Sequence, residues 1–182
     1  METENKKYII TEVLRISPLR VGALIGKGGS FKRKLEEKLD AKIVIDSKEG
    51  TVMCFLNDYS SYQKLTDIIR AISRGFSSEM ASILLRSDFI FHSIKLGRNK
   101  KRNLIMKARI IGQEGKIKRK MEFISSTKIS VYGKTISILG KASDVTLCNR
   151  AIVDILAGAK QNVVLNVMER KKKEEVDEEP VM

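Results

Sequence analysis

This 182-residue sequence contains a Gly-x-x-Gly pattern twice, 86 positions apart. The residues of these two patterns are the ones best suited to bind a ligand. The first is Gly26-Lys27-Gly28-Gly29 and the second is Gly112-Gln113-Glu114-Gly115. In each copy two aliphatic residues precede the glycines, and an apolar–basic–basic–basic–apolar–acidic string follows. Such a loop ahead of a helix presents unpaired backbone N–H groups at the positive end of the helix dipole, which attracts phosphate. Repetition with matching flanks indicates a duplicated unit.

The flanking residues predict a surface that holds a phosphate backbone on one side and bases on the other. Basic residues off the apolar face of the following helix would add charge, and an aliphatic strand would form a wall for bases. The predicted binding residues are Ile25, Gly26, Lys27, Gly28, Gly29, Lys32, Arg33, Ile43 and Ile45 in the first copy, and Ile111, Gly112, Gln113, Glu114, Gly115, Lys116, Lys118, Arg119, Ile129 and Val131 in the second. Glu114 would repel phosphate unless Lys116 or the basic segment Gly97–Arg102 offsets it, so we expect the stronger clamp in the first loop.

The elements that must position these residues follow the order β-α-α-β-β-α in both copies. In the first copy, β-branched and apolar runs predict strands over 8–16, 42–46 and 51–56. Ser17 and Pro18 form a helix start, and that helix stops at Gly26 before a second helix opens near Ser30. Asp58 is placed to cap a longer helix closed by Gly75.

The second copy repeats this order with one insertion. We predict strands over 89–96, 128–132 and 135–139, and a helix over 143–157. A basic loop, Gly97–Arg102, adds about five residues ahead of the second glycine loop. A charged helical tail from about Val163 to Glu179 carries the i, i+4 pairs Glu169–Lys173 and Arg170–Glu174. Its first turns are expected to dock through Val163, Val164, Val167 and Met168.

The predicted fold class is therefore α+β, with two three-stranded antiparallel sheets covered by helices, plus a C-terminal helix. The predicted domains are residues 6–76 and 88–160, with a connecting helix over 77–87 and the charged tail over 161–182. Each unit is small, so its core is modest.

The charge is strongly positive and uneven. The chain has a net charge of +13, and residues 98–160 alone carry +11. A concentrated positive field favours a polyanionic partner such as nucleic acid or an acidic membrane surface. No apolar run approaches the length of a membrane span.

Several other chemistries are excluded by spacing. Three residues rather than four separate Gly22 from Gly26-Lys27, and Gly28 replaces the Ser or Thr of a nucleotide-binding P-loop. The single histidine, His92, lies in an apolar strand and is expected to be a core or edge residue. Two distant cysteines are expected to be reduced core residues of a cytoplasmic protein, and they form no zinc site with one histidine. We therefore predict no catalytic residues, no metal and no cofactor.

The motif and its context resemble the type I KH domain, whose Gly-x-x-Gly loop clamps about four nucleotides of single-stranded nucleic acid. The resemblance covers about residues 8–158 and rests on I-G-K-G-G and I-G-Q-E-G inside β-α-α-β-β-α. The second copy, with Ile110–Lys120 and Ile129–Ile136, and the later Met168–Lys173, further resembles the archaeal, Dim-two-like homologues of the partner-of-Nob-one family of ribosome-assembly factors.

That resemblance implies a non-catalytic protein that binds single-stranded RNA at the 3′ end of small-subunit rRNA. It also implies two protein partners, a Nob-type endonuclease and the alpha subunit of archaeal initiation factor 2. The alternatives are a KH module of another RNA pathway, exosome-like or transcription-elongation-like, an RNA-dependent protein-interaction scaffold, and an enzyme that acts on RNA. No constellation of catalytic residues supports the last of these.

Overall fold

The computed structural model describes residues 8–177 and divides the chain into two compact units, one ending at Ser87 and the other beginning at Asp88. Residues 6–7 of the predicted first domain and residues 178–182 of the predicted tail lie outside the described residues.

The first unit has the predicted order of elements, and the segment predicted as a connecting helix over 77–87 follows as a short helix and a 3-10 turn. Its elements are β1 (Ile10–Arg15), α1 (Pro18–Ile25), a 3-10 turn (Lys27–Gly29), α2 (Ser30–Lys38), β2 (Lys42–Asp46), β3 (Thr51–Leu56), α3 (Tyr59–Ser73), α4 (Ser78–Ala81) and a second 3-10 turn (Ser82–Leu85). The bounds of α1, β2 and β3 match those predicted, because proline, glycine and short β-branched runs are strong local signals. Asp58 caps α3 as expected, since its side chain accepts a hydrogen bond from the N–H of Ser61 at 2.8 Å.

The first sheet is antiparallel in the order β1-β3-β2, so β2 is an edge strand. Side chains alternate along the central strand: Val52, Cys54 and Leu56 are buried under the helices, whereas the residues between them are partly exposed. This period of two is what a sheet with one covered face requires. The core is completed by Leu24, Leu35 and the buried face of α3.

The second unit repeats this architecture. Its elements are β4 (Phe89–Lys95), α5 (Lys100–Ile111), a 3-10 turn (Gln113–Gly115), α6 (Lys116–Ile124), β5 (Lys128–Tyr132), β6 (Thr135–Lys141), α7 (Ala142–Ala157) and α8 (Gln161–Asp177). The sheet order is β4-β6-β5, again antiparallel throughout. Ile110, Met121, Ile136, Ile138 and Ile152 are fully buried in one apolar cluster. The predicted fold class is confirmed.

The predicted basic loop before the second glycine motif is wrong in its second half. Lys100, Lys101 and Arg102 form the first turn of α5, which is 12 residues long against 8 for α1. Asn99 is the cap of this helix, because its side chain accepts the N–H of Arg102 at 3.0 Å. An asparagine ahead of a charged run is a cap signal that the prediction passed over.

The tail forms the helix α8, which packs against α6 and α7. Val164 and Met168 are buried as predicted, but Val163 and Val167 are exposed and Leu165 is buried in their place. Arg170 pairs with Glu174 at 3.8 Å, whereas Glu169 pairs with Lys120 of α6 at 3.0 Å rather than with Lys173. A contact to a neighbouring helix has replaced the local pair.

Candidate nucleic-acid interface

The first glycine of each loop is sterically required. Gly26 has φ +73° and Gly112 has φ +71°, a conformation that residues with a side chain rarely adopt. A Cβ atom on Gly26 would lie 2.7 Å from the Cβ of Phe31, and one on Gly112 would lie 2.4 Å from Cγ1 of Ile117. These glycines let α1 meet α2, and α5 meet α6, with almost no connecting chain.

The third position of each loop points into open space. Gly28 has φ +57°, and a Cβ added to it would meet no atom within 4 Å. Glu114 holds the same place in the second loop at φ +51°. The last glycines are covered by arginines, because a Cβ on Gly29 would meet Nη1 of Arg33 at 3.0 Å, and the matching distance for Arg119 is 3.2 Å. Each guanidinium therefore lies directly over its loop.

The backbone hydrogen bonds within each hairpin use the N–H groups of the two outer glycines, which leaves those of the two middle residues for a phosphate. The N–H of Gly26 donates to the carbonyl of Gly22 at 2.9 Å, and the N–H of Gly29 donates to Gly26 at 3.1 Å. The second loop repeats this pattern at Gly112 and Gly115, at 2.8 and 3.2 Å. The outer glycines thus shape the loop, and the N–H groups of its two middle residues are better placed to meet a phosphate.

A glutamate after each loop has a structural task that the sequence argument missed. Oε1 of Glu36 accepts the N–H of Ile43 on the edge strand β2 at 2.8 Å, and the carboxylate binds Nζ of Lys32 at 3.0 Å. Glu122 does the same for Ile129 and Lys118, at 2.7 and 3.0 Å. The recurrence of the acidic residue at the same place in both copies was the available signal. These carboxylates cap part of an otherwise open strand edge.

Two of the predicted base-contacting residues belong to the core. Ile43 is 1% exposed and Ile129 is 3% exposed, because both side chains point under the helices. This burial corrects that part of the prediction. Ile45 and Val131, two positions further along the same strands, are only half-buried. They border the surface between the glycine loop and the edge strand, which we call the groove.

The remaining predicted residues lie at the surface of the two loops. The exposed side chains are those of Lys27, Arg33, Ile111, Gln113, Glu114, Lys116 and Arg119. Ile25 is half-buried, and Lys32 and Lys118 are half-buried and held by their glutamates. The fold therefore brings loop, helix start and strand border together in each unit, with an ion pair on one side of the groove.

In both units, the segment that follows the third helix (α3 or α7) is hydrogen-bonded to the helix that leads into the glycine loop. Oγ of Ser78 donates to the carbonyl of Ala23 at 2.6 Å, and Nε2 of Gln161 donates to the carbonyl of Arg109 at 2.6 Å. Ala23 and Arg109 each lie three residues before the first glycine. An arginine returns the contact, since Arg20 donates to the carbonyl of Phe76 and Arg109 to that of Ala159. Each glycine hairpin is therefore hydrogen-bonded in both directions to the segment that follows the third helix of its unit.

The described residues 8–177 hold no group of three or more His, Cys, Asp or Glu side chains arranged for a metal. Burial raises the pKa of the Cys54 thiol to about 12, with a contribution from Glu12, and burial also raises the pKa of Cys148. Both cysteines are unpaired and buried, as expected for core residues. Across the same range, none of the helices combines the length and apolar character that a bilayer crossing would need.

Comparison with known proteins agrees with this geometry. A KH-domain family model matches residues 11–59, and a model described as a eukaryotic type KH domain (KH-domain type I) matches residues 89–173. A KH domain-containing protein of Methanocaldococcus jannaschii is 35% identical over 189 aligned residues, which cover 92% of this chain and 82% of the relative. The chain belongs to this family of two-KH-domain proteins.

Two further relatives carry more specific names. The pre-rRNA-processing protein pno1 of Aspergillus fumigatus is 27% identical over 82% of the chain, and the chain spans 63% of that relative's length. A chain of the solved a/eIF2alpha–aDim2p–rRNA complex from Pyrococcus horikoshii OT3 superposes with a TM-score of 0.81 at 32% identity, covering 91% of this chain and 95% of that one. The resemblance to Dim2 and Pno1 is confirmed.

Proposed function

We propose that this protein binds single-stranded RNA through its two KH domains as a non-catalytic factor in small-subunit rRNA processing. The observation that carries the proposal is the duplicated glycine hairpin, whose first glycine is sterically required and whose middle residues face solvent in both copies. Two such loops in a chain of this family serve RNA better than any small ligand, because each presents phosphate-binding N–H groups beside a partly apolar strand border.

In the proposed complex, phosphates lie over the two middle residues of each loop. Arg33 and Arg119, which cover the last glycines, would contribute side-chain charge, and so would Lys27 within the first loop. Bases would pack on Ile25 and Ile45 in the first unit, and on Ile111 and Val131 in the second. Lys32 and Lys118 would contribute less than expected from sequence, since each already neutralises a glutamate.

The 3′ region of small-subunit rRNA is the proposed target, and the a/eIF2alpha subunit and a Nob-type endonuclease are proposed partners in the cytoplasm. The named relatives support rRNA as the ligand and a/eIF2alpha as a partner, because one is a pre-rRNA-processing protein and another was solved with rRNA and a/eIF2alpha. The choice of the small-subunit 3′ region rests on the sequence resemblance. The Nob-type partner rests on the sequence resemblance alone.

Fluorescence anisotropy with a labelled single strand copying the 3′ end of small-subunit rRNA tests the proposal. Controls are a scrambled strand, a duplex, and full-length variants Lys27→Asp with Gly28→Asp, or Gln113→Asp. We expect a preference for the single strand that a loop variant removes without unfolding. If about six phosphates are neutralised, affinity falls several hundredfold between 50 and 200 mM salt, at a slope of about 0.7 per phosphate.

Equal binding to all three nucleic acids by all variants would refute the proposal. Recovery of the labelled strand at full length after prolonged incubation tests the non-catalytic part, and specific cleavage products that scale with protein concentration would contradict it.

A further inference from the structure

Six residues of α3 surround an open cavity on the side of the helix that faces away from its buried residues. They recur at intervals of three or four positions, so they share one face of the helix. The cavity has a volume of about 340 Å³ and is lined by Tyr59, Tyr62, Gln63, Thr66, Asp67 and Arg70. We call it the α3 cavity, and it includes no residue of either glycine loop.

A buried hydroxyl at the floor of the α3 cavity lacks a hydrogen-bond partner. Thr66 is 4% exposed, and its Oγ1 is one of three buried side-chain oxygens that form no hydrogen bond with the residues the structure describes. Leaving such a group unpaired costs free energy, which a ligand that pairs with it would recover. Gln63 and Arg70 on the rim are exposed long side chains, which can turn to admit a ligand to the hydroxyl.

The rim of the α3 cavity offers aromatic surface. Tyr59 is 65% exposed, and its ring centre lies 5.7 Å from that of Tyr62 at an angle of 40°. Nε2 of Gln63 lies 3.5 Å from the phenolic oxygen of Tyr59, within reach of a weak hydrogen bond. An exposed aromatic face of this kind attracts a flat ligand such as a base, because every base has a π face.

A carboxylate and a guanidinium complete the rim. Nη1 of Arg70 lies 3.6 Å from Oδ1 of Asp67, which is an ion pair too long for a hydrogen bond. Burial raises the pKa of the Asp67 carboxyl, and the attraction of Arg70 offsets this only in part. The carboxylate can only accept hydrogen bonds and the guanidinium can only donate them, so the two suit different ends of one ligand.

The second unit has no such tyrosine pair. The helices α3 and α7 end in the same pair of backbone hydrogen bonds, which fixes how their residues correspond. Ala142 and Val145 stand where α3 has Tyr59 and Tyr62, and Val145 is buried. The fold is complete in the second unit without the two rings, so packing alone does not require them in the first.

We propose that the α3 cavity binds one unpaired guanine nucleotide, with its base stacked on Tyr59 and its phosphate at Arg70. The Watson–Crick edge of guanine has two adjacent N–H donors, which match the two oxygens of Asp67, whereas each other base has one donor group on that edge. Thr66 gains the partner that it lacks. The volume lies at the small end of the range for ligand sites, about 300–1,000 Å³, which suits one nucleotide better than a protein segment.

This inference goes beyond the proposed function, because it uses no residue of the glycine loops. The chemistry is the same for a free guanine nucleotide and for a guanine in single-stranded RNA, and the experiment separates these two sources.

Nuclear magnetic resonance of ¹⁵N-labelled full-length protein, titrated with GMP, tests the inference. We expect saturable shifts of the backbone amides of residues 59–70, and much weaker binding of AMP, CMP and UMP at these amides. The trinucleotide UGU, with UAU as its control, identifies the source. Tighter binding of UGU than of GMP at the same amides indicates RNA, and equal binding indicates the free nucleotide.

Tyr59→Ala should weaken GMP binding about 5- to 150-fold, which is the range for loss of one base–aromatic stack. Phe123→Ala is the matched control, because it removes a ring that is 87% exposed in the second unit and should leave GMP binding unchanged. Thr66→Val should weaken binding about 2- to 10-fold without lowering the unfolding temperature, since it replaces an unpaired hydroxyl by a methyl group of similar shape. Asp67→Asn should make the affinities for GMP and AMP similar.

The inference is overturned if GMP shifts no amide of residues 59–70, or if the four mononucleotides bind there equally well in the parent protein. Unchanged GMP binding in both Tyr59→Ala and Thr66→Val would also overturn it. Each of these results leaves the proposed function standing, because that function is tested by strand binding and by variants of the glycine loops.

Discussion

Replacing the first and the third residue of the first glycine loop by alanine should have very different effects on folding. At Gly26, φ +73° and ψ 173° fall in a region that is almost exclusive to glycine, and strain there costs about 1–3 kcal/mol. The new Cβ would also lie 2.7 Å from the Cβ and 2.9 Å from the backbone nitrogen of Phe31, and such overlap costs about 1–3 kcal/mol more. Gly26→Ala should therefore destabilise the first unit by about 2–6 kcal/mol.

Gly28→Ala meets no atom within 4 Å, and its φ of +57° with ψ 26° lies in the left-handed helical region. The expected cost is about 1 kcal/mol of backbone strain. Glu114 occupies the equivalent place in the second loop at φ +51°, which shows that a side chain is accommodated there. Each variant adds one methyl group, at positions two residues apart in the same loop, so they form a matched pair.

Urea unfolding followed by circular dichroism measures the difference, and hydrogen exchange of the α2 amides assigns it to the first unit. Because two units can unfold separately, a single two-state fit is applied only if both probes give one transition. A loss of stability in Gly26→Ala that is no larger than in Gly28→Ala would refute the steric reasoning. It would mean that the hairpin relaxes around an added methyl group.

Three further outcomes follow from the contacts described above. Glu36→Ala should lower the free energy of unfolding by about 1–3 kcal/mol, because it leaves the edge-strand N–H without its acceptor, while Glu36→Gln retains an acceptor and should lose less; urea titration separates them. Cys54 and Cys148 should resist iodoacetamide at pH 8 and react in denaturant, because burial raises both pKa values; rapid labelling of the folded protein would contradict this. The hydrogen bond to Asp144 raises the pKa of Lys172 above its ordinary 10.5. Lys172→Met should therefore lower the free energy of unfolding fully below pH 10.5, and this loss should vanish as the pH rises through the pKa of Lys172 in the folded protein. A loss that grows with pH in that range would contradict the assigned sign.

Local signals in the sequence were enough to place most elements. Proline at the start of α1, the aspartate before α3 and the glycines after α3 and α7 act within a few residues, so their effects can be inferred without knowing the fold. The start of α5 was missed although its cap is also local, because a run of lysines and arginines looked more like a solvated loop than a helix start. A hydrogen bond from Nδ2 of Asn103 to the carbonyl of Gly97 also ties this turn to the end of the preceding strand.

The residues predicted for the loops of the candidate site lie at the surface, but two of those predicted for its walls are buried. Alternation along β2 and β5 indicates that one set of side chains is covered, yet Ile43 and Ile129 were assigned to the groove and lie in the core. Which set faces the helices is decided by register with the central strand and by how α2 and α6 cross the sheet. Glu36 and Glu122 were visible as a repeated residue, but their task is a contact across seven positions between a helix and a strand edge.

The sequence by itself determined the duplication, the order of elements in each copy and the need for glycine at the hairpins, because repeat spacing and backbone φ are local properties. Tertiary structure alone decided which aliphatic residues are exposed and that Glu36 and Glu122 accept hydrogen bonds from the edge strands. These properties depend on atoms brought together from separate elements, and the packing that brings them together is not encoded in any short stretch of chain.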